Sequence, residues 1–162
     1  MKNHASVIAV QATLDAAGAR TATGSTPQVI ILDEAVHTAA AAAAALGVDV
    51  GQIANSLIFD VEGEPLLVLT SGAHRVDTVK VAAGLGVAKL RRATAEFVRE
   101  HTGQPIGGVA PLGHPRPVRT LVDQALAQYS EIWAAGGVPR AVFRTTYDEL
   151  VRVTGGTAAE VA

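Results

Sequence analysis

Hydrophobic residues follow two spacings along the chain, which predict helices and strands in mixed order. Apolar residues recur at helical spacing over Ala5–Ala19, where Gly18 offers a stop near the end. Glu34–Leu46 is rich in alanine, the residue with the highest helix propensity, and is predicted to be the second helix. Between them, the β-branched run Gln28–Asp33 predicts a short buried strand.

The middle of the chain predicts a β-hairpin followed by two helices. Two apolar runs, Ile53–Val61 and Glu64–Thr70, flank a short glycine-containing turn. Asp77 and Thr94 are each placed to cap a helix, because their side-chain oxygens accept hydrogen bonds from free backbone N–H groups. These helices are expected to end at Leu85 and His101, with a short strand near Ala88–Arg92 between them.

The last third predicts two strands and a final helix. Val118–Leu126 fits either a strand or a helix, whereas Glu131–Ala135 and Ala141–Thr145 predict strands. Thr146 with Glu149 three residues later predicts a capping box at the start of the last helix. The residues after that helix are expected to fray.

These elements predict one α+β domain over residues 1–162, with a mixed β-sheet, partly barrel-like, surrounded by helices. A chain of 162 residues with 49% hydrophobic residues can bury a core of its own. It contains no cysteine, which excludes disulfides, thiolate nucleophiles and zinc–sulfur sites. We see neither a signal peptide nor a membrane-spanning segment, and we expect a cytoplasmic protein without a membrane partner.

The charge pattern argues against a dedicated nucleic-acid binder such as a DNA-binding protein. The net charge is −2, whereas phosphate contacts require an excess of lysine and arginine. A local basic stripe runs from Lys80 to Arg99, opposed only by Glu96, with Arg75 just before it. This stripe fits either a contact with a phosphate backbone or a solvated helix face.

A glycine-rich loop carries the strongest chemical signal. Gly107–His114 reads GGVAPLGH, and paired glycines allow a backbone to approach a ligand closely and direct N–H groups toward it. Such donors stabilise the oxyanion that forms during ester hydrolysis. The alternative is a tight crossover loop in which the glycines serve only backbone geometry.

The loop GGVAPLG resembles the GG-x-x-P-x-G loop of the YbaK/prolyl-tRNA synthetase editing-domain family. Three further segments resemble that family in the same order along the chain, and the similarity spans roughly Ile30 to Gly155. They read IANSLIFDVEGEPLLVLTSGAHRVD, VAAGLGVAKLRRATAEFVREHTGQPIGG and WAAGGVPRAVFRTTYDELVRVTGG.

The resemblance implies a freestanding trans-editing deacylase that needs no metal and no cofactor. Such a protein hydrolyses the ester joining alanine, cysteine or another small wrong amino acid to the terminal adenosine of a mischarged tRNA, here expected to be tRNA(Pro). A small pocket admits the wrong amino acid and excludes the correct one, as in a double sieve. The implied partners are the acceptor end of aminoacyl-tRNA and an aminoacyl-tRNA synthetase.

Asn55 departs from the family pattern. Many members carry a lysine at the matching strand position, and asparagine supplies hydrogen bonds but no positive charge. Asn55 therefore fits either a substrate-holding group or a structural hydrogen-bonder. Two further functions stay open: a non-catalytic module of the same fold that binds a tRNA end, an amino acid or a synthetase, and a hydrolase of another small aminoacyl ester.

Residue types and the resemblance together nominate the site. The candidate catalytic residues are Asn55, Gly107, Gly108 and His114. The candidate substrate-binding residues are Ser56, Gly72, His74, Ala110, Pro111 and Gly113. The candidate tRNA-binding residues are Arg75, Lys80 and Arg116. Candidate pocket-lining residues are Val29, Ile31, Leu57, Phe59 and Leu69. His37 and His101 are predicted to lie on helices, at the surface.

Overall fold

The computed structural model describes residues 5–162, which contain five α-helices, eight β-strands and two short 3-10 helices. The helices are α1 Ala5–Ala16, α2 Ala39–Leu46, α3 Thr78–Leu85, α4 Ala95–Thr102 and α5 Tyr147–Thr154. The strands are β1 Ile30–Ile31, β2 Ile53–Val61, β3 Glu64–Ser71, β4 Arg91–Arg92, β5 Arg119–Asp123, β6 Ile132–Ala135, β7 Ala141–Thr145 and β8 Thr157–Ala159. The 3-10 helices are Val50–Gln52 and Gln124–Gln128.

All eight strands form one sheet with parallel and antiparallel neighbours, which confirms the predicted α+β class and mixed sheet. The order is β1-β7-β6-β2-β3-β5-β8, and β4 pairs with β2 outside this path. The hairpin β2–β3 is antiparallel as predicted, whereas β2–β6 and β3–β5 are parallel. Among the described residues, β1 and β8 end the path, so the sheet is open and not closed into a barrel.

One edge of β2 is shared by two short strands and is open between them. β6 pairs with Ile53 and Ala54, and β4 pairs with Phe59 and Asp60. The residues between, 55–58, pair with β3 on the other edge but have no strand partner on this one within residues 5–162. Backbone N–H and C=O groups of a strand alternate between its two edges, so this opening presents unpaired polar backbone.

Side chains of β3 alternate between two hydrophobic clusters. Leu67 and Leu69 belong to the larger cluster, which also contains the fully buried Phe143. Leu66 and Val68 belong to a second cluster, which α3 covers. The sheet is thus covered on both faces around β3, and this holds the long hairpin rigid beneath the open edge.

Helix caps are confirmed in part. Thr94 Oγ1 accepts a hydrogen bond from the Phe97 amide at 3.1 Å, and Asp77 Oδ1 accepts from the Lys80 amide at 3.1 Å. The predicted capping box at Thr146 is only half formed. Thr146 Oγ1 accepts from the Glu149 amide, but the Glu149 carboxylate binds Arg152 and the Arg20 amide instead of turning back to Thr146.

The second helix begins later than predicted. It starts at Ala39 behind the cap Thr38, whose Oγ1 accepts from the Ala41 amide at 3.0 Å. The preceding residues pair with another loop instead of extending the helix, because the Leu32 and Val36 amides donate to the carbonyls of Arg140 and Pro139. Alanine propensity alone gives no sign of this tertiary pairing.

Two other expectations are settled by local geometry. The ambiguous segment Val118–Leu126 contains strand β5, followed by the start of a 3-10 helix. The strand ends at Asp123, whose side chain caps the 3-10 helix by accepting a hydrogen bond from the Ala125 backbone N–H at 2.9 Å. The predicted strands Gln28–Asp33 and Ala88–Arg92 are present but each has only two residues.

The expectation that the C-terminal residues fray is wrong. After α5, the chain forms β8, which pairs in parallel with β5. Val161 is fully buried in the second cluster, and its carbonyl accepts from the Asp77 amide at 2.7 Å. The chain end therefore contributes to the core and anchors the start of α3.

We expect Val161→Ala to lower the free energy of unfolding by about 2 kcal/mol, because it removes two buried methyl groups. Urea denaturation measures this loss. Val79→Ala is the matched control, since Val79 is 78% exposed and should change stability by less than about 0.5 kcal/mol. Equal effects of the two substitutions would contradict the burial of the C-terminus.

Candidate active site

A small cavity lies at the open edge of β2. Its walls come from the segment before α2, from β2, from β6 and β7, and from the glycine loop; the residues that bear on its chemistry are His37, Asn55, Ser56, Gly107, Val109 and Trp133. Its volume is about 50 Å³. That is space for about four water molecules, so the cavity fits a small side chain.

The glycine loop is clamped at Ala110 from both sides. The Ala110 amide donates to Gln104 Oε1 at 2.7 Å, and its carbonyl accepts from His114 Nε2 at 2.8 Å. Gln104 is itself buried, and its backbone N–H donates a hydrogen bond to Thr102 Oγ1. Ala110 and Pro111 are thus buried supports of the loop and do not line the cavity.

Two residues of this loop that line the cavity have N–H groups without an acceptor within residues 5–162. The amides of Gly107 and Val109 donate to no atom within residues 5–162, and both residues line the cavity. The Gly108 amide is engaged, because it donates to the Pro105 carbonyl at 3.0 Å. The donors available for an oxyanion are therefore those of Gly107 and Val109, and the Gly108 amide is not among them.

Gly108 has a different role, which is close packing. A Cβ atom there would lie 2.5 Å from the Val138 carbonyl carbon and 2.7 Å from the Pro139 nitrogen. Only glycine allows this approach. It brings the loop against the β6–β7 connection, so that both form walls of one cavity. Gly113 likewise lets the loop end approach α1, with φ +84° and a Cβ position 3.1 Å from the Val10 Cα.

Asn55 and Ser56 meet at the cavity. The side-chain amide of the half-buried Asn55 makes no hydrogen bond within residues 5–162 and is therefore free to bind a ligand. Ser56 Oγ is buried and also lacks a partner among these residues. Unpaired buried polar groups are rare in folded proteins, and they are expected where a ligand or a water completes them.

Two residues of the cavity were missed by sequence reasoning. His37 precedes α2 instead of lying on it, and its Nδ1 lies 3.4 Å from the Cβ position of Gly107. Trp133 forms a buried wall, and its Nε1 has no acceptor within the described part of the chain. The only available signal was that Trp133 is the one tryptophan of the sequence.

His114 lies outside the cavity. It lines a separate depression beside α1 and Thr102, where its Nε2–H is used on the Ala110 carbonyl. Burial lowers the pKa of His114 below its ordinary value, and the hydrogen bond to Ala110 opposes this only in part. The neutral imidazole thus stabilises the glycine loop through its hydrogen bond to the Ala110 carbonyl.

Gly72 and His74 also lie away from the cavity. A Cβ at Gly72 would clash with the Val50 carbonyl oxygen, so this glycine permits close packing of the end of β3. His74 Nδ1 lies 2.9 Å from Oδ2 of Asp123, a buried carboxylate that also accepts from the Ser71 amide at 2.9 Å. Asp123 thus accepts hydrogen bonds from several groups at the end of β3, a structural role that the sequence did not predict.

The three candidate tRNA-binding cations differ in their surroundings. Lys80 is paired, with Nζ 2.6 Å from Glu160 Oε1 and 3.0 Å from the Ala162 carbonyl oxygen. Arg75 and Arg116 are exposed, and neither pairs with an acidic residue within residues 5–162. Of the basic stripe, Arg92 on β4 is the residue that lines a cavity next to the site.

Comparison with known proteins identifies the family. The model of the aminoacyl-tRNA editing domain matches residues 33–153, which include the whole cavity. The chain belongs to the aminoacyl-tRNA editing domain family. A solved structure described as a candidate trans-editing enzyme for prolyl-tRNA synthetase has a TM-score of 0.88 to this editing domain, with 42% identity over 99% of this chain and 98% of that one.

Two curated relatives show the range of proteins that contain this editing domain. The proline–tRNA ligase of Limosilactobacillus fermentum is 37% identical over 95 residues, covering 56% of this chain. The editing domain spans only about a sixth of that ligase, at 17% of its length. The uncharacterised protein YwhH of Bacillus subtilis is 32% identical over 110 residues, covering 67% of this chain and 69% of YwhH.

The described residues contain neither a metal-binding cluster nor a membrane-spanning helix. Within residues 5–162, no three His, Cys, Asp or Glu side chains cluster so that they would hold a metal ion. No helix in this range combines the length and the apolar character that crossing a bilayer requires.

We expect His114→Gln to flatten the pH dependence of stability, since glutamine keeps an N–H donor for Ala110 but does not titrate. Because the pKa of His114 is lowered in the folded state, the unfolded chain binds the proton more readily below about pH 6.5. Stability is therefore present above that pH and is lost as the pH falls. Urea midpoints at about pH 7.5 and 5 measure this loss, and equal losses in both proteins would contradict it.

Proposed function

We propose that this editing domain is a trans-editing deacylase that releases alanine, or the similarly small cysteine, from mischarged tRNA(Pro). The observation that carries this proposal is the small cavity beside two free amides, at residues 55–58 of β2, whose edge between β6 and β4 pairs with no strand within residues 5–162. Family membership and the likeness to a candidate trans-editing enzyme support the reaction class and the tRNA.

Cavity size supports the choice of amino acid. A space of about 50 Å³, bordered by Trp133 and Ala42, takes the methyl group of alanine or the CH2SH group of cysteine more readily than a pyrrolidine ring. A ring seated fully inside the cavity would overpack against the buried indole of Trp133, at a cost of about 1–3 kcal/mol. Exclusion by volume is the principle of a second sieve.

Loop geometry supports the chemistry. A water molecule attacks the ester carbonyl carbon, and the Gly107 and Val109 amides donate to the oxyanion that forms. The bond between that carbonyl carbon and the ribose oxygen then breaks. The ribose oxygen takes up a proton, and the free amino acid leaves. Asn55 holds the substrate by hydrogen bonds from its unengaged amide. His37, on the rim beside Gly107, accepts the proton of the attacking water.

The alternative is a binding module that keeps the cavity without the reaction. The observation that favours it is Asn55, which brings no positive charge to a site where many family members carry lysine. The free amides of Gly107 and Val109 fit both readings, because backbone N–H groups bind a carboxylate as well as an oxyanion, so the release of amino acid decides between them.

The direct test is amino-acid release from alanyl-, cysteinyl-, seryl-, threonyl- and prolyl-tRNA(Pro) by the purified protein. We expect release from alanyl- and cysteinyl-tRNA and none from prolyl-tRNA. Gly108→Ala should abolish release, since its methyl group would force the loop away from Val138 and Pro139. Gly84→Ala is the matched control, because nothing lies within 4 Å of its Cβ position. No release from any substrate by folded wild-type protein would contradict the proposal.

We expect Asn55→Ala to lower kcat on alanyl-tRNA about 10- to 100-fold, the effect of losing a hydrogen bond to the reacting group. Gln124→Ala removes an exposed amide far from the cavity and should leave kcat unchanged. Single-turnover kinetics measures both. A higher rate in Asn55→Lys than in wild type would instead indicate an enzyme that decayed when lysine was lost, and would favour the binding module.

A further inference from the structure

A depression lies between α1 and the residues that precede and end the glycine loop. It shares no lining residue with the small cavity. We call it the α1 depression, lined chiefly by Ser6, Ala9, Ala12, Gln104, His114 and Pro115. Its volume is about 550 Å³, within the range of roughly 300–1,000 Å³ of small-molecule sites. None of these side chains takes part in the proposed reaction.

Gln104 brings an unused donor to the α1 depression. The residue is 1% exposed, and its Oε1 accepts a hydrogen bond from the Ala110 backbone N–H at 2.7 Å. That bond fixes the orientation of the side-chain amide, because only its oxygen can accept. Nε2 is buried and has no acceptor within residues 5–162. Unpaired buried donors are rare in folded proteins, and they are expected where a ligand or a water completes them.

His114 brings the complementary group, an unused acceptor. Its Nε2 lies 2.8 Å from the Ala110 carbonyl oxygen, and a carbonyl binds only a donor, so the proton of the neutral imidazole is on Nε2. Burial lowers the pKa of His114, which keeps the imidazole neutral at pH 7. Nδ1 therefore keeps its lone pair, and it makes no hydrogen bond within residues 5–162.

The donor and the acceptor are neighbours on an uncharged wall. Both side chains bind backbone groups of one residue, Ala110. None of the described residues that line the depression is an Asp, Glu, Lys or Arg, and α1 adds apolar surface through Ala9 and Ala12. A carboxamide matches this wall, because its oxygen accepts from Gln104 Nε2 while its N–H donates to His114 Nδ1. A carboxylate matches it less well, because it has no donor for the histidine.

We propose that the α1 depression is a second binding site, which takes a small neutral molecule with a carboxamide on an apolar body. The carboxamide pairs with Gln104 Nε2 and His114 Nδ1, and the apolar body lies on the alanines of α1. The bound molecule completes both side chains that hold Ala110, so it stiffens the glycine loop without entering the small cavity. Ala110 directly follows Val109, whose amide lies at that cavity. Binding itself does not depend on the proposed reaction.

The test uses benzamide as the probe, with amide chemical shifts of the labelled full chain as the readout. We expect saturable shifts at the Gln104 side-chain NH2 and at the Ala110 amide, together with slower hydrogen exchange of the Ala110 amide. Acetophenone has the same oxygen but no N–H, and benzoate has no donor. Each should bind about three- to tenfold more weakly than benzamide, the effect of losing one hydrogen bond.

A substitution on α1 tests the location of the site. Ala12→Phe should weaken benzamide binding by about tenfold, because Ala12 is exposed and lines the depression, so that a phenyl group fills the space of the ligand. Ala16→Phe is the matched control, since Ala16 is exposed on the same helix but does not line the depression. It should bind benzamide as wild type does.

Four outcomes would overturn the proposal. The absence of saturable shifts at millimolar benzamide would mean that water alone pairs these two side chains. Equal affinity for benzamide and acetophenone would contradict the carboxamide, and equal affinity of wild type and Ala12→Phe would contradict the location. Tighter binding of N-acetylglycine methylamide than of benzamide would indicate a peptide segment instead of a small molecule. All are measured without tRNA, so hydrolysis of alanyl-tRNA neither supports nor contradicts this site.

Discussion

The contact between the Gly108 backbone and residues Val138 and Pro139 is the constraint on which the candidate site depends. A single methyl group at Gly108 would overlap these backbone atoms, so the loop and the β6–β7 connection meet only through a glycine. Hydrogen bonds from Val36 to Pro139 and from Leu32 to Arg140 attach the segment before α2 to the same connection. The close contact at Gly108 and these two hydrogen bonds together position three walls of the cavity around the β6–β7 connection.

The hydrogen bonds of the loop divide it into a supporting part and a free part. Ala110 is bonded at both its N–H and its carbonyl, by Gln104 and His114, and the Gly108 amide is bonded to Pro105. In the described part of the glycine loop, only Gly107 and Val109 have free amides at the cavity, where the edge of β2 is also open. A rigid support with a few unpaired donors is the arrangement that preorganised catalysis requires, because no reorganisation energy is spent when charge develops.

Much of the fold could be predicted from sequence because it depends on local patterns. The hairpin β2–β3, the caps Asp77 and Thr94, and the glycine loop all follow from residue type and spacing. Long-range packing could not be predicted in this way. Such packing explains why α2 begins later than predicted, why Val161 is buried, and why His114 binds the Ala110 carbonyl instead of a ligand. The cavity is likewise assembled from distant segments, and none of the expected pocket-lining residues lines it. Leu57 and Phe59 line a neighbouring cavity instead, and Val29, Ile31 and Leu69 line neither.

The measurement that tests the central claim most directly is a crystal structure with alanine joined by an amide bond to the 3′ position of adenosine. This compound resembles the substrate but resists hydrolysis. The account predicts the alanyl methyl group against Trp133 in the small cavity and the carbonyl oxygen within hydrogen-bond distance, about 3 Å, of the Gly107 and Val109 amides. An alanyl group bound elsewhere, or a carbonyl oxygen turned away from both amides, would contradict it.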